Sequence, residues 1–500
     1  MYTLRFPSDA ANVNILLDSS TIVTQPIYFI TVFSAISCLT RVTVGNSPRR
    51  VGGWLPANSH VLINWVTKLI NSPKSALPWP QEVKNFQHLI EQSAELRMLA
   101  SAMFDEVPNK PPYNKDPNNT GQIRSYQHML SLIAHIMREV APEWSQTEYD
   151  SGLIGFPFNA ILDWPMATPS GYAFFLNPKV NAQFKIILNK WRDTVLATSK
   201  SQIVLNKGPE GWLSEAALKT IAADTNVPGR PDHSFEYLFD CDTTDPHYGF
   251  GSWDAFFTRT FRNINVDRPV EEVGNPSWIV NSCESKPFAL QDNVRKFDAF
   301  WLKGQPYSVA EMTKLDELTV DKFVGGTVYQ AFLSATSYHR WHSPVKGKVV
   351  YADVIDGTYF SEPTITGFTN PGGPDPAGPD RSQGYITHVA TRAVYLIDAG
   401  DPVGLVCAIY VGMADVSTCE IGEKFDKEEL KRIPHTSNQG VDVNKGDEIG
   451  MFHHGGSTHC LIFGKDVKLQ FVPQAFPETA TRNLPLRSKL AYVEPRLLPF

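Results

Sequence analysis

The spacing of apolar residues changes near the middle of the chain. In the segments 84–104 and 125–140, large apolar residues recur every three or four positions, which is typical of amphipathic helices, with Asn85 and Ser125 as candidate N-caps. After about residue 240 they come in short runs rich in Val, Ile and aromatics, such as GLVCAIYVGM and HCLIF, between Gly, Asp and Pro. The pattern predicts an α+β protein with a helical N-terminal accessory domain followed by a β-rich domain.

The length of 500 residues exceeds what one hydrophobic core usually organises, so more than one domain is expected. We predict a weakly apolar N-terminal extension over 1–51, a helical domain over 52–200, a linker region over 201–244 and the β-rich domain over 245–500. The stretch 366–384 is dense in Pro and Gly, which favours an exposed loop.

Charge and cysteine content exclude several classes of protein. The formal net charge is −7 and no long basic block occurs, so a nucleic-acid partner is not expected. The six cysteines are scattered without a CxxC pair, which indicates free thiols in a reducing compartment such as the cytoplasm.

The N-terminal stretch 19–40 has no charged residue and approaches the length of a membrane span. Polar residues and a proline interrupt it, however, and no basic segment precedes it. We expect a buried or irregular extension here, with membrane association as the alternative.

The sequence GGST at 455–458 interrupts a strand-like pattern. A simple turn would explain it. A hydrolase nucleophile elbow does not, because G-x-S-x-G lacks its last glycine here and a strand rather than a helix follows. A metal site is also disfavoured, since strand alternation sends neighbouring side chains to opposite faces and no regular ligand spacing occurs. The crowded candidate ligands are His453, His454, His459 and Cys460.

A third interpretation is self-cleavage. Ser457 can attack the carbonyl of Gly456, where no Cβ obstructs the approach, and convert the amide into an ester. Loss of the serine α-proton then breaks the chain, and the remaining dehydroalanine hydrolyses to a pyruvoyl group. Such a ketone can form a Schiff base with a substrate amine and withdraw electrons as carbon dioxide leaves. That is the role of pyridoxal phosphate elsewhere, so neither pyridoxal phosphate nor a metal is expected.

Four motifs in this order resemble the phosphatidylserine decarboxylase family over about residues 245–485. They are FFTRTF followed by DRPV, SYHRWHSPVKG, GTYFSEP and GGSTHCLIF. The first half, with GGWLP, KPPYN and GFPFNAILDW, resembles the accessory domain of a fungal branch of that family. That branch includes pyruvoyl-dependent L-tryptophan decarboxylases.

The resemblance implies roles for individual residues. Ser457 would be the nucleophile and the source of the pyruvoyl group, and Gly456 would end the larger chain. His342 would be the base for cleavage, and His339 would be the acid that protonates the α-carbon after decarboxylation. Glu284 would take the place of the aspartate that completes the triad in bacterial members.

The resemblance also implies a small amino-acid substrate, with decarboxylation of L-tryptophan to tryptamine as the leading hypothesis. Tyr359, Phe360 and Thr458 are the expected substrate-binding residues. The alternatives are phosphatidylserine giving phosphatidylethanolamine, another amino acid, and a member that folds without cleaving. The two cleaved chains are expected to stay associated, and the protein to form a homodimer.

Overall fold

The computed structural model describes residues 59–72, 77–106, 123–144, 153–154, 157–166, 168–297, 307–361, 383–415, 419–426, 428–432 and 440–495. The expectations for the extension 1–51 and for most of the loop 366–384 lie outside these residues. Within them, no helix is long and apolar enough to cross a membrane. The five described cysteines form no disulfide.

Helices dominate the first half of the described chain. The longer ones are Ser59–Ile70, Gln81–Gln92, Ala94–Asp105, Tyr126–Glu139, Pro157–Met166, Pro169–Leu176, Pro178–Trp191 and Glu215–Thr225. A π-helical turn, Arg192–Leu196, and a 3₁₀ helix, Ser199–Val204, follow Trp191. Shorter helices later in the chain include Phe235–Leu238, Trp253–Phe257, Ile264–Asp267, Val309–Thr313, Glu317–Val320, Gln383–Val389 and Glu428–Arg432.

Short polar side chains define several helix starts. The Ser125 hydroxyl accepts the backbone N–H of His128 and caps helix Tyr126–Glu139, as predicted. The prediction for Asn85 was wrong, because its helix begins one turn earlier, at Gln81 after Pro80. Pro80 occupies the N-cap position, where it makes no side-chain cap and its carbonyl accepts the Lys84 N–H.

Strands follow from Trp278 onward, apart from a two-residue pair, β1 (Glu143–Trp144) and β2 (Leu153–Ile154). A seven-stranded antiparallel sheet has the order β11-β7-β8-β9-β13-β5-β4. Its strands are β4 (Lys286–Asp292), β5 (Thr327–Leu333), β7 (Gly347–Ile355), β8 (Arg392–Asp398), β9 (Leu405–Gly412), β11 (Val441–Val443) and β13 (Ser457–Phe463).

Two three-stranded sheets complete this half. One has the order β10-β12-β6, from Cys419–Ile421, Glu448–Phe452 and Arg340–His342. The other has the order β14-β15-β3, from Leu469–Phe471, Lys489–Val493 and Trp278–Val280. Trp341 of β6 stacks on Tyr410 of β9, with ring centroids 4.2 Å apart, so the first small sheet packs against the large one.

Strand β13 lies inside the large sheet. Each of its seven residues pairs with β5 on one side and with β9 on the other. Because side chains alternate along a strand, Ser457 and His459 share one face and Thr458 lies on the other. A strand buried on both faces explains why this segment is apolar after its first residues. The predicted α+β class, helical first and β-rich second, is confirmed, whereas the domain boundaries stay predictions.

Candidate active site

The GGST segment forms the connection between β12 and β13. Strand β12 ends at Phe452 and β13 begins at Ser457. Gly455 has a φ of 139°, a conformation that side chains with a Cβ rarely adopt. Gly456, in contrast, is not among the described glycines with a positive φ. The unusual backbone conformation of the turn is therefore at Gly455. The turn therefore needs glycine at 455 for its backbone.

Both polar backbone atoms of Gly456 bind the chain just beyond β9. Its N–H donates to the Ala414 carbonyl at 3.1 Å, and its carbonyl accepts the Met413 N–H at 2.7 Å. These bonds continue the β13–β9 ladder by one residue past Ser457. The carbonyl that Ser457 would attack is thus held by a backbone donor.

Ser457 is completely buried, and its hydroxyl has no hydrogen-bond partner in the described structure. A buried hydroxyl without a partner costs roughly 1–3 kcal/mol, so such groups in folded proteins call for an explanation. A hydroxyl that is to attack the neighbouring carbonyl provides one. The geometry therefore fits a serine that is converted into a prosthetic group.

His339 is completely buried directly before strand β6. The backbone of Ser334, which follows the Ser457 pairing partner Leu333, influences the electrostatics of its ring. The ring stacks on Phe257 with centroids 3.8 Å apart. Burial lowers the pKa of His339 well below its usual value, and the Arg259 charge lowers it further. The imidazole is therefore neutral at pH 7 and can accept a proton.

His342 makes different contacts. Its Nδ1 lies 2.8 Å from the Gly446 carbonyl, and its Nε2 lies 3.2 Å from the Tyr338 hydroxyl. Burial, followed by the charge of Arg487, lowers the pKa of His342 to about 3. Among the described residues, no hydrogen bond joins His342 to Ser457 or to Glu284. The expected chain of hydrogen bonds from serine through base to acid is not assembled in this state.

Glu284 binds Arg268 instead of orienting His342. The guanidinium contacts both carboxylate oxygens, at 2.7 and 2.8 Å, and the Leu486 N–H donates to one of them at 2.9 Å. Both side chains are only 2% exposed. A buried carboxylate needs a compensating charge, and a two-point guanidinium pair supplies it better than a neutral imidazole does. The expected contact of Glu284 with His342 is thus replaced by an ion pair.

Each of the three expected substrate-binding residues has defined contacts within the protein. The Thr458 hydroxyl donates to the Ala331 carbonyl and accepts from Gln330, on the opposite face of the sheet. Tyr359 is buried, and its backbone N–H donates to Asn181 of helix Pro178–Trp191. Burial raises the pKa of the Tyr359 phenol.

Phe360 packs into the helical part of the chain. Its ring centroid lies 5.0 Å from that of Phe184 and 6.4 Å from those of Phe158 and Phe175. Phe360 buries more of its ring among these aromatic side chains than it would against a small turn, which explains why it packs against the helices. The role of Tyr359 and Phe360 in substrate binding stays a prediction.

Two histidines before the turn bind other protein groups. His453 lies 3.0 Å from Asp254 and 2.8 Å from Glu420. Burial lowers its pKa, but the two carboxylates outweigh this and raise it overall. His454 is buried and accepts the Trp253 indole N–H at 3.0 Å. Within the described ranges, no group of His, Cys, Asp or Glu is arranged to hold a metal ion.

Sequence reasoning missed Asp415, which is completely buried just after the residues that hold Gly456. Its carboxylate accepts the backbone N–H groups of Phe158 and Asn159, both at 3.1 Å. The one signal in the sequence is an acidic residue directly after the apolar run that forms β9.

Comparison with known proteins identifies the family of the chain. Two family models described as phosphatidylserine decarboxylase match the chain, one over residues 80–221 and one over 253–478. An L-tryptophan decarboxylase of Psilocybe cubensis is 31% identical over 86% of this chain and 91% of its own length. A decarboxylase of Amanita muscaria, iboD, is 37% identical over 68% of this chain and 91% of its own length.

More distant relatives match a smaller share of the chain. Phosphatidylserine decarboxylase proenzyme 3 of Schizosaccharomyces pombe is 26% identical over 48% of this chain and 21% of its own length. The second family model spans the helix with Phe257, the histidines His339 and His342, and the GGST turn. The chain therefore belongs to the phosphatidylserine decarboxylase family and is a decarboxylase, a carboxy-lyase.

Proposed function

We propose that this protein cleaves itself between Gly456 and Ser457 and then decarboxylates L-tryptophan to tryptamine. The observation that carries the proposal is the buried, unpartnered Ser457 hydroxyl next to a carbonyl that accepts a backbone N–H at 2.7 Å. Attack by this hydroxyl places negative charge on the Gly456 oxygen, which the Met413 N–H is placed to stabilise.

The pyruvoyl group made from Ser457 would supply a ketone carbonyl that takes up the substrate amine and draws electrons from the bond to the departing carboxylate. The residues present suit its formation, since Ser457 starts a strand fixed on both sides and Gly456 adds no side chain to the cleavage turn. Pyridoxal phosphate has no part in this scheme.

We assign proton transfer to the two histidines near β6. His342 is proposed as the base for self-cleavage and His339 as the proton donor during decarboxylation. Both are buried and have lowered pKa values, so both are neutral at pH 7. His342 can therefore accept a proton, whereas His339 can donate its ring N–H or a proton that it has first taken up. For its role, His342 must exchange its contacts with Gly446 and Tyr338 for one with Ser457.

L-tryptophan is proposed because of how much of the chain the relatives cover. The Psilocybe proteins named L-tryptophan decarboxylase match 86% and 66% of this chain. The relatives named phosphatidylserine decarboxylase proenzyme match 43–48% of it. Phosphatidylserine as substrate, giving phosphatidylethanolamine, is the second candidate because both family models bear that description.

The first experiment is a competition assay on purified protein. L-tryptophan and detergent-dispersed phosphatidylserine are supplied together, and tryptamine and phosphatidylethanolamine are quantified. Mass spectrometry of the same sample should show chains of 456 and 44 residues, the shorter one beginning with a pyruvoyl group. The Ser457→Ala variant should remain one chain and form neither product. A single intact chain in the wild type would contradict self-cleavage, and phosphatidylethanolamine alone would replace the proposed substrate.

The two histidines can be separated in parallel. His342→Gln should remain uncleaved, whereas His339→Gln should cleave, release carbon dioxide and then fail to form tryptamine, because the α-carbon is not protonated. The opposite result would exchange their roles.

A further inference from the structure

Asp415 links the cleavage turn to the helical half of the chain. It lies three residues beyond Gly412, the last residue of β9, and has a left-handed φ of 57°. Its Oδ2 accepts the N–H of Phe158, and its Oδ1 accepts the N–H of Asn159. These donors belong to the first turn of helix Pro157–Met166, whose N-terminal N–H groups have no partners within the helix.

The two residues before Asp415 hold the peptide that would react. Met413 donates to the Gly456 carbonyl, and Ala414 accepts the Gly456 N–H. Strand pairing of β9 with β13 ends at Gly412 and Ser457, so Met413 lies just beyond the regular ladder. Its position depends on whatever fixes the chain after it, and within the described residues the Asp415 carboxylate does so through two hydrogen bonds.

We infer that Asp415 is a positioning residue for self-cleavage, which fixes the Met413 N–H against the Gly456 carbonyl by anchoring the end of β9 to helix Pro157–Met166. The inference rests on the proposed reaction at Gly456-Ser457. It goes beyond that proposal by making the N-terminal helical region part of the maturation machinery.

The step at issue is the shift of the acyl group from nitrogen to oxygen. A bond forms between Ser457 Oγ and the Gly456 carbonyl carbon, and the bond from that carbon to the Ser457 nitrogen breaks. The hydroxyl proton ends on the nitrogen, which becomes an amine. Negative charge resides on the Gly456 oxygen in between, and a fixed N–H at hydrogen-bond distance lowers the energy of that state.

A purely structural helix cap is the competing explanation. Asp415 would then contribute to stability as other caps do, without any particular effect on the rate of cleavage in folded protein. The test must therefore measure that rate separately from folding.

Asp415→Asn and Asp415→Gly make a graded pair of variants. Both residues tolerate a left-handed φ, so the backbone at 415 is preserved. Asparagine keeps one acceptor oxygen and places an amide NH₂ against the second N–H, and glycine removes both acceptors. Asp316→Gly is the matched control, because Asp316 also caps a helix, Glu317–Val320, at a site without contact to Gly456.

Each variant is synthesised in a cell-free system, and its cleavage is followed by mass spectrometry. The melting temperature of each variant is first measured with Ser457→Ala added, and cleavage is then followed at a fixed number of degrees below that temperature. Hydroxylamine is added to parallel samples, because it captures the ester as a hydroxamate on Gly456. We expect cleavage to slow about tenfold or more in Asp415→Gly and less in Asp415→Asn, with less captured ester. Asp316→Gly should cleave at the wild-type rate.

Once cleaved, the Asp415 variants should show wild-type kcat and KM per pyruvoyl group. Wild-type cleavage rates in both Asp415 variants would overturn the inference. A decrease in kcat/KM per pyruvoyl group as large as the decrease in the cleavage rate would also overturn it. Failure of the wild type itself to cleave at Gly456 would instead refute the proposed function. If Asp415→Gly does not fold, the cleavage rates of Asp415→Asn and Asp316→Gly are compared to decide whether Asp415 positions the cleavage turn.

Discussion

Arg268 and Glu284 form a two-point ion pair that is almost completely shielded from water. Two guanidinium nitrogens contact the two carboxylate oxygens at 2.7 and 2.8 Å, and each side chain is 2% exposed. The Arg268 guanidinium also lies 4.8 Å above the Phe261 ring. The acid that the family resemblance placed in a triad with His342 is thus part of a structural pair in the state seen here.

Removal of one partner of this pair should be strongly destabilising. Glu284→Gln leaves a buried guanidinium without its counter-charge and is expected to cost about 3–5 kcal/mol of unfolding free energy. The double variant Arg268→Met/Glu284→Leu should lose less than either single variant, because no unpaired charge remains. Urea unfolding in the uncleavable Ser457→Ala background measures both. A stable Glu284→Gln protein that fails to cleave would instead restore Glu284 to the triad.

Four buried histidines with lowered pKa values, His339, His342, His388 and His459, should make the protein sensitive to mild acid. Burial is the main cause that lowers the pKa of His342 and His459 to about 3 and that of His388 to about 4. These values lie below about 6.5, the value in an unfolded chain, so the unfolded state binds protons first as pH falls. The stability is therefore complete above about pH 6.5 and is lost below it, by about 1.4 kcal/mol per pH unit for each histidine.

His453 should oppose this trend in part, because its raised pKa stabilises the folded state below about pH 6.5 and this contribution is lost as pH rises. Urea unfolding of the Ser457→Ala protein at about pH 7, 6 and 5 gives the net slope. His459→Gln should reduce that slope by one histidine's share, since glutamine does not titrate. An unfolding free energy that stays constant between about pH 6.5 and 5 would show that these histidines are not buried in their neutral form.

The two glycines of the turn should respond differently to alanine. Gly455→Ala forces a Cβ into a φ of 139° and is expected to cost about 1–3 kcal/mol. Gly456→Ala should cost less, because Gly456 is not among the described glycines with positive φ. Thermal unfolding of both variants with Ser457→Ala checks the order. Equal destabilisation would mean that the strain is shared by the two positions.

Thr458 should affect stability rather than substrate binding. Its hydroxyl binds Gln330 and Ala331 on the sheet face opposite Ser457. Thr458→Val leaves the Gln330 amide without this partner and should cost about 1–3 kcal/mol. The KM for the substrate should not change, and Thr458→Ser should behave like the wild type. A raised KM in a valine variant of normal stability would place Thr458 at the substrate.

The parts of the fold that depend on local patterns could be predicted from the sequence. Apolar spacing identified helix Tyr126–Glu139, and Ser125 marked its start because capping involves only neighbouring residues. Before β12, the sequence Lys445-Gly446-Asp447 is typical of a tight turn, and Gly446 adopts a φ of 81° there.

The contacts within the site depend on distant parts of the chain and could not be predicted in this way. Glu284 and Arg268 are near in sequence, but whether Glu284 pairs with Arg268 or with His342 depends on which side chains are buried next to it. Phe360 was expected to bind substrate, which stays a prediction, but its packing against helices that precede it by more than a hundred residues could not be foreseen. Asp415 carries no motif, and only the folded chain shows that it faces the start of a helix.

The interior position of β13 affects the stability of the protein after cleavage. A cut before Ser457 would leave a short second polypeptide whose first strand is bonded along its full length to β5 and β9. While folded, the two pieces behave as one molecule. Once unfolded they diffuse apart, and reassembly becomes a bimolecular event that depends on concentration. The uncut Ser457→Ala chain can then reach an equilibrium between folded and unfolded states, but the cut protein would persist only by the slowness of its unfolding.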